Sequence, residues 1–196
     1  MRPILVALLI GLATPALAGN TLVPPGQAVA VARSALTVTP AREWNRMGAR
    51  PGRLSETWTI DGDTLNDLTF YGGIESGLPI FREVDKRNKP LPHFSTTMLL
   101  TDVPTLFENS YRIALGTAGM EIGRVEPATF AGRKGVRFAY SFVRQGEEVR
   151  RQGEAYAAIV DKKLYMISFE APALHYFDTW IEGARQVVAS AALPGG

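Results

Sequence analysis

The chain has 196 residues, 46% of them hydrophobic and 20% charged, with no cysteine and a formal net charge of +2. The missing cysteines exclude a disulfide framework, a thiol nucleophile and a thiolate metal site. A chain this close to neutral has no overall field with which to hold a nucleic acid, and its hydrophobic share and length suit a single globular domain.

Residues 1–18 read as a signal peptide. Met1-Arg2 is a short positive start, Ile4 to Leu12 is an apolar run, and Ala16-Leu17-Ala18 is a small-x-small cleavage site. The run is shorter than the roughly 20 residues a bilayer span needs. No cysteine follows it to accept a lipid. The expectation is a single α+β domain over residues 19–196, periplasmic or secreted, with no transmembrane segment after cleavage.

Gly19 to Gly26 reads as an extended lead-in, and Ala28 to Thr39 as one strand stopped by Pro40. Arg42 to Met47 suggests a helical turn around Trp44. Ser55 to Ile60 and Leu65 to Tyr71 form a hairpin across Asp61-Gly62-Asp63, with Gly72-Gly73 ending the second strand. Glu75 to Ser95 is long, basic and marked by prolines, which makes it a functional loop or a mobile insertion. Thr101-Asp102 and Pro104 open a helix whose stripe is Val103, Leu106, Phe107, Tyr111 and Ala114.

The period then switches to two. Val136, Phe138, Tyr140 and Phe142 share one strand face, and Arg137, Ala139, Ser141 and Val143 the other. Val149 to Val160 is the next strand, followed by a turn at Asp161-Lys162-Lys163. Leu164 to Ala171 is apolar on both sides and therefore needs cover above and below. Pro172 ends it. Leu174 to Ala191 carries the strongest helical stripe, in which Phe177 and Trp180 are expected to be buried.

The second half resembles the PsbP-like superfamily. The resemblance rests on Thr129-Phe130-Ala131-Gly132, on Val136-Arg137-Phe138-Ala139-Tyr140, on Lys163 through Pro172, and on the helix ending Val187 through Leu193. It covers residues 118–193. It implies an antiparallel sheet flanked by helices in an α/β/α sandwich. Gly132 would be a turn residue, Tyr165 a packing residue and Ser190 a helix end. It also implies a binding or accessory module, although kinship of fold does not carry function.

Signatures of chemistry are sparse. His93 has Ser95 nearby in sequence but no triad pattern, and no Gly-x-Ser-x-Gly elbow exists. His175 falls in the first turn of the last helix. Asp61, Asp63, Asn66 and Asp67 have an acidic look, but the positions a calcium loop needs fall on Leu65 and Gly72, so a hairpin turn explains them better. With no cysteine and two separated histidines, zinc lacks ligands. No motif implies a cofactor. The aromatic residues read as core rather than as a ligand cage.

The functional expectation is an exported, non-enzymatic accessory or binding protein of the bacterial cell envelope. Its binding residues would be Arg82, Lys86, Arg87 and His93 on the 75–95 loop, because loops on a rigid scaffold are where such modules make contacts. The partner would be an envelope protein or an anionic envelope component. A second basic stretch, Arg124 to Arg151, reads as the solvated face of a sheet or as a surface for the same anionic partner. The alternatives are a small hydrophobic-ligand carrier with an apolar cleft, and a hydrolase built around His93 or His175.

Overall fold

The computed structural model describes residues 19–195, so the expected signal peptide lies outside the described residues. Among the described residues ten strands and two α-helices follow one another: β1 Thr21–Val23, β2 Val29–Ala30, β3 Thr37–Val38, β4 Trp44–Arg46, β5 Ser55–Thr59, β6 Asp67–Ile74, α1 Val103–Ala114, β7 Ala118–Phe130, β8 Arg133–Val143, β9 Arg150–Val160, β10 Lys163–Pro172 and α2 Tyr176–Ala189. Eight strands form one sheet in the order β1-β4-β5-β6-β10-β9-β8-β7, and β2 pairs with β3 in a separate ribbon. Neighbours in both sheets run antiparallel. Among the described residues, no helix is long and apolar enough to cross a membrane.

The sheet follows from hydrophobic alternation and tight turns. Phe130 pairs with Arg133 and Val160 with Lys163, leaving two-residue turns between the strands. Ala131 and Gly132 have φ of 49° and 72°, and Asp161 and Lys162 have φ of 49° and 62°. Two left-handed residues in succession match the twist of the flanking strands. Strand β10 lies between β6 and β9 and is buried along almost its whole length, as its two apolar faces require. On one face, Ala184, Val187 and Val188 of α2 pack with Leu68, Phe70, Ile167 and Phe169. On the other, Val103, Leu106, Phe107 and Tyr111 of α1 pack with Tyr71, Phe138, Tyr140 and Met166. The result is the expected α/β/α sandwich.

The first half departs from expectation in several places. Residues 28–39 are not one strand: they fold back at Ala32 and Arg33, whose φ values are 53° and 54°. The reason is burial. Val31, Ala32, Leu36 and Val38 are all fully buried in the α2-side core, and Val29 pairs with Val38 across the turn. Gly72 receives this ribbon, since a Cβ there would strike the Ser34 side chain and Ala32 Cβ. Gly72-Gly73 therefore does not end β6, which runs on to Ile74.

Arg42 to Met47 forms β4 rather than a helical turn. Pairing with β1 and β5 satisfies its backbone, which one isolated helical turn in water would not do. The lead-in contributes β1 for the same reason. Ala114 is exposed, so the α1 stripe ends at Tyr111. Phe177 and Trp180 are half-buried at the rim of α2, not sealed beneath it. Trp180 Nε1 donates to Asp61 Oδ2 at 2.6 Å and Arg42 stacks 4.6 Å from the ring centroid. The 75–95 segment has no helix or strand, yet Ile80, Phe81, Leu91 and Phe94 pack into the α1-side core.

Candidate functional site

A transverse row of paired residues builds the site. Asp67 of β6 sits opposite Glu170 of β10, Glu170 opposite Gly153 of β9, and Gly153 opposite Tyr140 of β8. These four residues therefore share one face of the sheet, the α1 face. Gly153 is the enabling position: a Cβ there would occupy the Tyr140 ring. Without a side chain on β9, Tyr140 reaches across that strand to Glu170.

The buried Glu170 carboxylate collects donors from α1, from β8 and from the turn after β8, with Arg151 of β9 close by. Tyr111 of α1 donates to its Oε2 at 2.7 Å and Tyr140 donates to the same oxygen at 3.2 Å. Arg144, in the turn after β8, donates to Glu170 Oε1 at 3.3 Å and to Asp67 Oδ2 at 2.8 Å. Arg151 is only 1% exposed; it donates to the Thr64 carbonyl at 2.8 Å and stands 3.6 Å from Glu170 and 3.8 Å from Asp67. A carboxylate inside a doubly buried strand needs this company, because an unpaired buried charge is costly.

Some polar atoms remain unmatched. Asp67 Oδ1 and the Tyr71 hydroxyl are buried and have no hydrogen-bond partner among the described residues. Ser168 and Tyr111 lie near enough to Tyr71 to influence its proton, but no well-aligned bond forms. Burial, reinforced by the Glu170 charge, pushes the phenols of Tyr71, Tyr111 and Tyr140 well above their ordinary range, so all three remain proton donors. The same two causes raise the Asp67 carboxyl to about 7, against the opposing pull of Arg144 and Arg151.

This cluster forms the wall of a cleft of about 490 Å³. Asp67, Tyr71, Tyr111 and Glu170 line it, together with Met47, Arg50 and Leu115 among others. A carboxyl that titrates near neutrality can take or give a proton, and the cleft presents acceptors from Asp63, Asp67 and Glu147. Neither histidine lines it.

The sequence-expected binding residues lie elsewhere. Arg82, Lys86, Arg87 and His93 are all exposed on the 75–95 segment. Lys86 and Arg87 stand on a turn closed by the Lys89 N–H donating to the Asp85 carbonyl at 2.8 Å. His93 Nε2 meets Glu83 Oε2 at 3.5 Å, while the Ser95 hydroxyl bonds to Thr97 instead of the imidazole. His175 has its ring edge-on to Tyr176, 5.4 Å away. The arginines between residues 124 and 151 do not form a free basic face: Arg124 and Arg137 pair with Glu126, Arg150 with Glu121, Arg133 donates to the Gly195 carbonyl, and Arg144 and Arg151 turn toward Glu170 and Asp67. The Asp61–Asp67 turn is held by side chains. Asn66 Oδ1 accepts from Thr59 and from the Ile60 N–H, and Asn66 Nδ2 donates to Asp61.

Sequence reasoning passed over Asp67 and Glu170 as a pair. The available signal was Glu170, an acidic residue near the end of a strand that is mostly apolar.

The solution structure of cyanobacterial PsbP (CyanoP) from Synechocystis sp. PCC 6803 matches this architecture with a TM-score of 0.53, at 15% identity, over 94% of this chain and 98% of that one. The fold is PsbP-like. At that identity the likeness is one of fold alone. LpqN, a protein involved in cell envelope biogenesis of Mycobacterium tuberculosis, aligns at a TM-score of 0.37 and 10% identity over 89% of this chain and 84% of that one, a likeness too loose to bear on function. No protein-family model and no curated protein matches the sequence.

Within the PsbP-like frame the three positions singled out by the resemblance take their expected places. Gly132 is in the β7–β8 turn, and Tyr165 packs over Gly73 and is partly buried. Ser190 caps the C-terminus of α2, and its Oγ accepts from the Thr39 N–H at 2.9 Å.

Proposed function

We propose that this chain is an exported, non-enzymatic binding protein of the bacterial cell envelope. It holds a small ligand bearing amine or hydroxyl donors in the Asp67–Glu170 cleft. The carrying observation is the unmatched Asp67 Oδ1 beside the unmatched Tyr71 hydroxyl in the wall of that cleft. A buried acceptor without a partner is costly, and a donor-bearing ligand would remove the cost. The charged side chains in the lining, among them Asp63, Asp67, Arg144, Glu147 and Glu170, favour this over a carrier of hydrophobic molecules. The aromatic side chains that a carrier would need close on one another instead: Phe107 lies 4.3 Å from Tyr111, 4.9 Å from Tyr140 and 5.4 Å from Phe138, centroid to centroid. The signal-peptide pattern of residues 1–18 supports export.

A thermal-shift screen of small amines, polyols and fatty acids tests the reading. A polar compound should raise the melting temperature, and Asp67→Asn with Tyr71→Phe should abolish the shift. An amine should bind more tightly at pH 8 than at pH 6, because ionised Asp67 accepts it and below about pH 7 the carboxyl must first lose a proton. A response only to fatty acids, unaffected by Asp67→Asn, would refute the assignment. Amino-terminal sequencing of protein from the envelope fraction should begin at Gly19.

A further inference from the structure

We infer that a second cleft, lined by Arg33, Arg53 and Arg82, is a binding site for a phosphate-bearing anion with an attached apolar chain. Three separate stretches of chain bring these arginines together around about 310 Å³. Each stretch is pinned by its backbone. The Arg82 N–H donates to the Pro51 carbonyl at 2.8 Å, which fastens the 75–95 segment to the residues just before Arg53. Gly52 allows that contact, because a Cβ there would press on the Ile80 carbonyl and Ser55 Oγ at 2.8 Å. Arg33 arrives from the β2–β3 turn, where it sits in the left-handed region beside the buried Ala32. A side chain other than glycine in that region is uncommon. The turn buries Ala32 against the sheet and leaves Arg33 exposed at the cleft.

The charge of this cleft is one-sided. Among the described residues, Arg33, Arg53 and Arg82 have no carboxylate within ion-pair distance. The fourth arginine of the lining, Arg50, is turned to Glu56 at 3.2 Å. The lining holds one carboxylate, Glu83, which faces His93. Glu75, near Arg53, is tied to Lys163 at 2.9 Å. Three uncommitted guanidinium groups match a phosphate, whose oxygens accept paired N–H donors. The rest of the wall is apolar: Leu54, Ile74, Leu78 and Phe81. That pairing of a cationic mouth with an apolar wall distinguishes a phosphate carrying a hydrocarbon chain from a bare ion. Of the residues expected from sequence, Arg82 alone lines this cleft.

Titration calorimetry with dihexanoyl phosphatidic acid, below its micelle concentration, and in parallel with inorganic phosphate tests the inference. The double variant Arg53→Gln/Arg82→Gln should weaken binding at least tenfold. Arg124→Gln, on the far edge strand and 84% exposed, removes the same kind of charge and should change affinity less than twofold. Circular dichroism melts confirm that both variants fold. Tighter binding of the lipid than of inorganic phosphate is the expected result, because only the lipid can use the apolar wall; equal binding of the two would overturn the inference. No binding of either probe, retained affinity in the double variant, or an equal loss in Arg124→Gln would overturn it. The outcome is independent of the Asp67 cleft, because neither probe nor variant touches that carboxyl.

Discussion

Gly153 carries a consequence out of proportion to its size. Its missing Cβ is the space in which the Tyr140 ring lies, and that ring delivers a hydroxyl to Glu170. Gly153→Ala should destabilise the protein by about 1–3 kcal/mol through overpacking of a closed core. The measurement is urea denaturation, and a Tyr140→Phe background separates the lost hydrogen bond from the steric clash. Asp67 makes the second residue-scale prediction. Its native pKa lies above its unfolded value, so the native state binds a proton between about pH 4 and 7 that the unfolded chain does not. Stability therefore falls as pH rises through that window. Asp67→Asn mimics the protonated form, so it should be more stable than wild type above pH 7, by roughly 1–4 kcal/mol. The gap should close by about pH 4. Melting temperatures of both proteins across that range decide it. The unmatched acceptor at this residue is the feature that links stability to binding, because a ligand that supplies a donor relieves the same cost.

At the scale of elements, one carboxylate ties α2 to the sheet. Glu154 of β9 accepts from Arg185 of α2 at 3.0 and 2.8 Å, from Arg137 of β8, and from Tyr156 at 2.8 Å. Burial would raise its pKa, but the hydrogen bonds from Arg185, Arg137 and Tyr156 outweigh it and hold the group down at about 2. A depressed carboxyl contributes stability that is present above its unfolded pKa of about 4.5 and is lost as pH falls through the native value. Glu154→Gln should thus cost about 1.5–3 kcal/mol at pH 7 and nothing near pH 2. Guanidinium or urea titrations at several pH values measure the difference. The helix depends on this anchor because its largest rings, Phe177 and Trp180, are only half-buried. Its tail is tied down by a backbone exchange instead: the Thr37 N–H donates to the Ala192 carbonyl at 3.0 Å, and the Ala192 N–H donates back to Thr37 at 2.9 Å.

For the whole molecule, a single sheet with a core on either face implies one cooperative unit. Trp44 and Trp58 are buried on the α2 side, while Phe107 is buried on the α1 side. Phe107→Ala should cost about 3–5 kcal/mol. Tryptophan fluorescence on the opposite face should report the same lowered midpoint as circular dichroism. Separate midpoints would mean two units. The second half of this architecture was readable from residue order because β8 alternates, β10 is a long run apolar on both faces and the turns are local: Phe138, Tyr140 and the β9–β10 turn follow from neighbours in sequence. In the first half the β5–β6 hairpin was readable as well, but β1, β4 and the folded-back ribbon were not, since they are too short to declare themselves and exist only by pairing or by burial against distant residues. The same limit applies to function. Local pattern settled the α+β sandwich and the doubly covered central strand. Only tertiary packing set Asp67 opposite Glu170, 103 positions apart in the numbering, or gathered Arg33, Arg53 and Arg82 from three stretches of chain. A site made by register across strands depends on which strands become neighbours, and no spacing within one stretch of sequence encodes that.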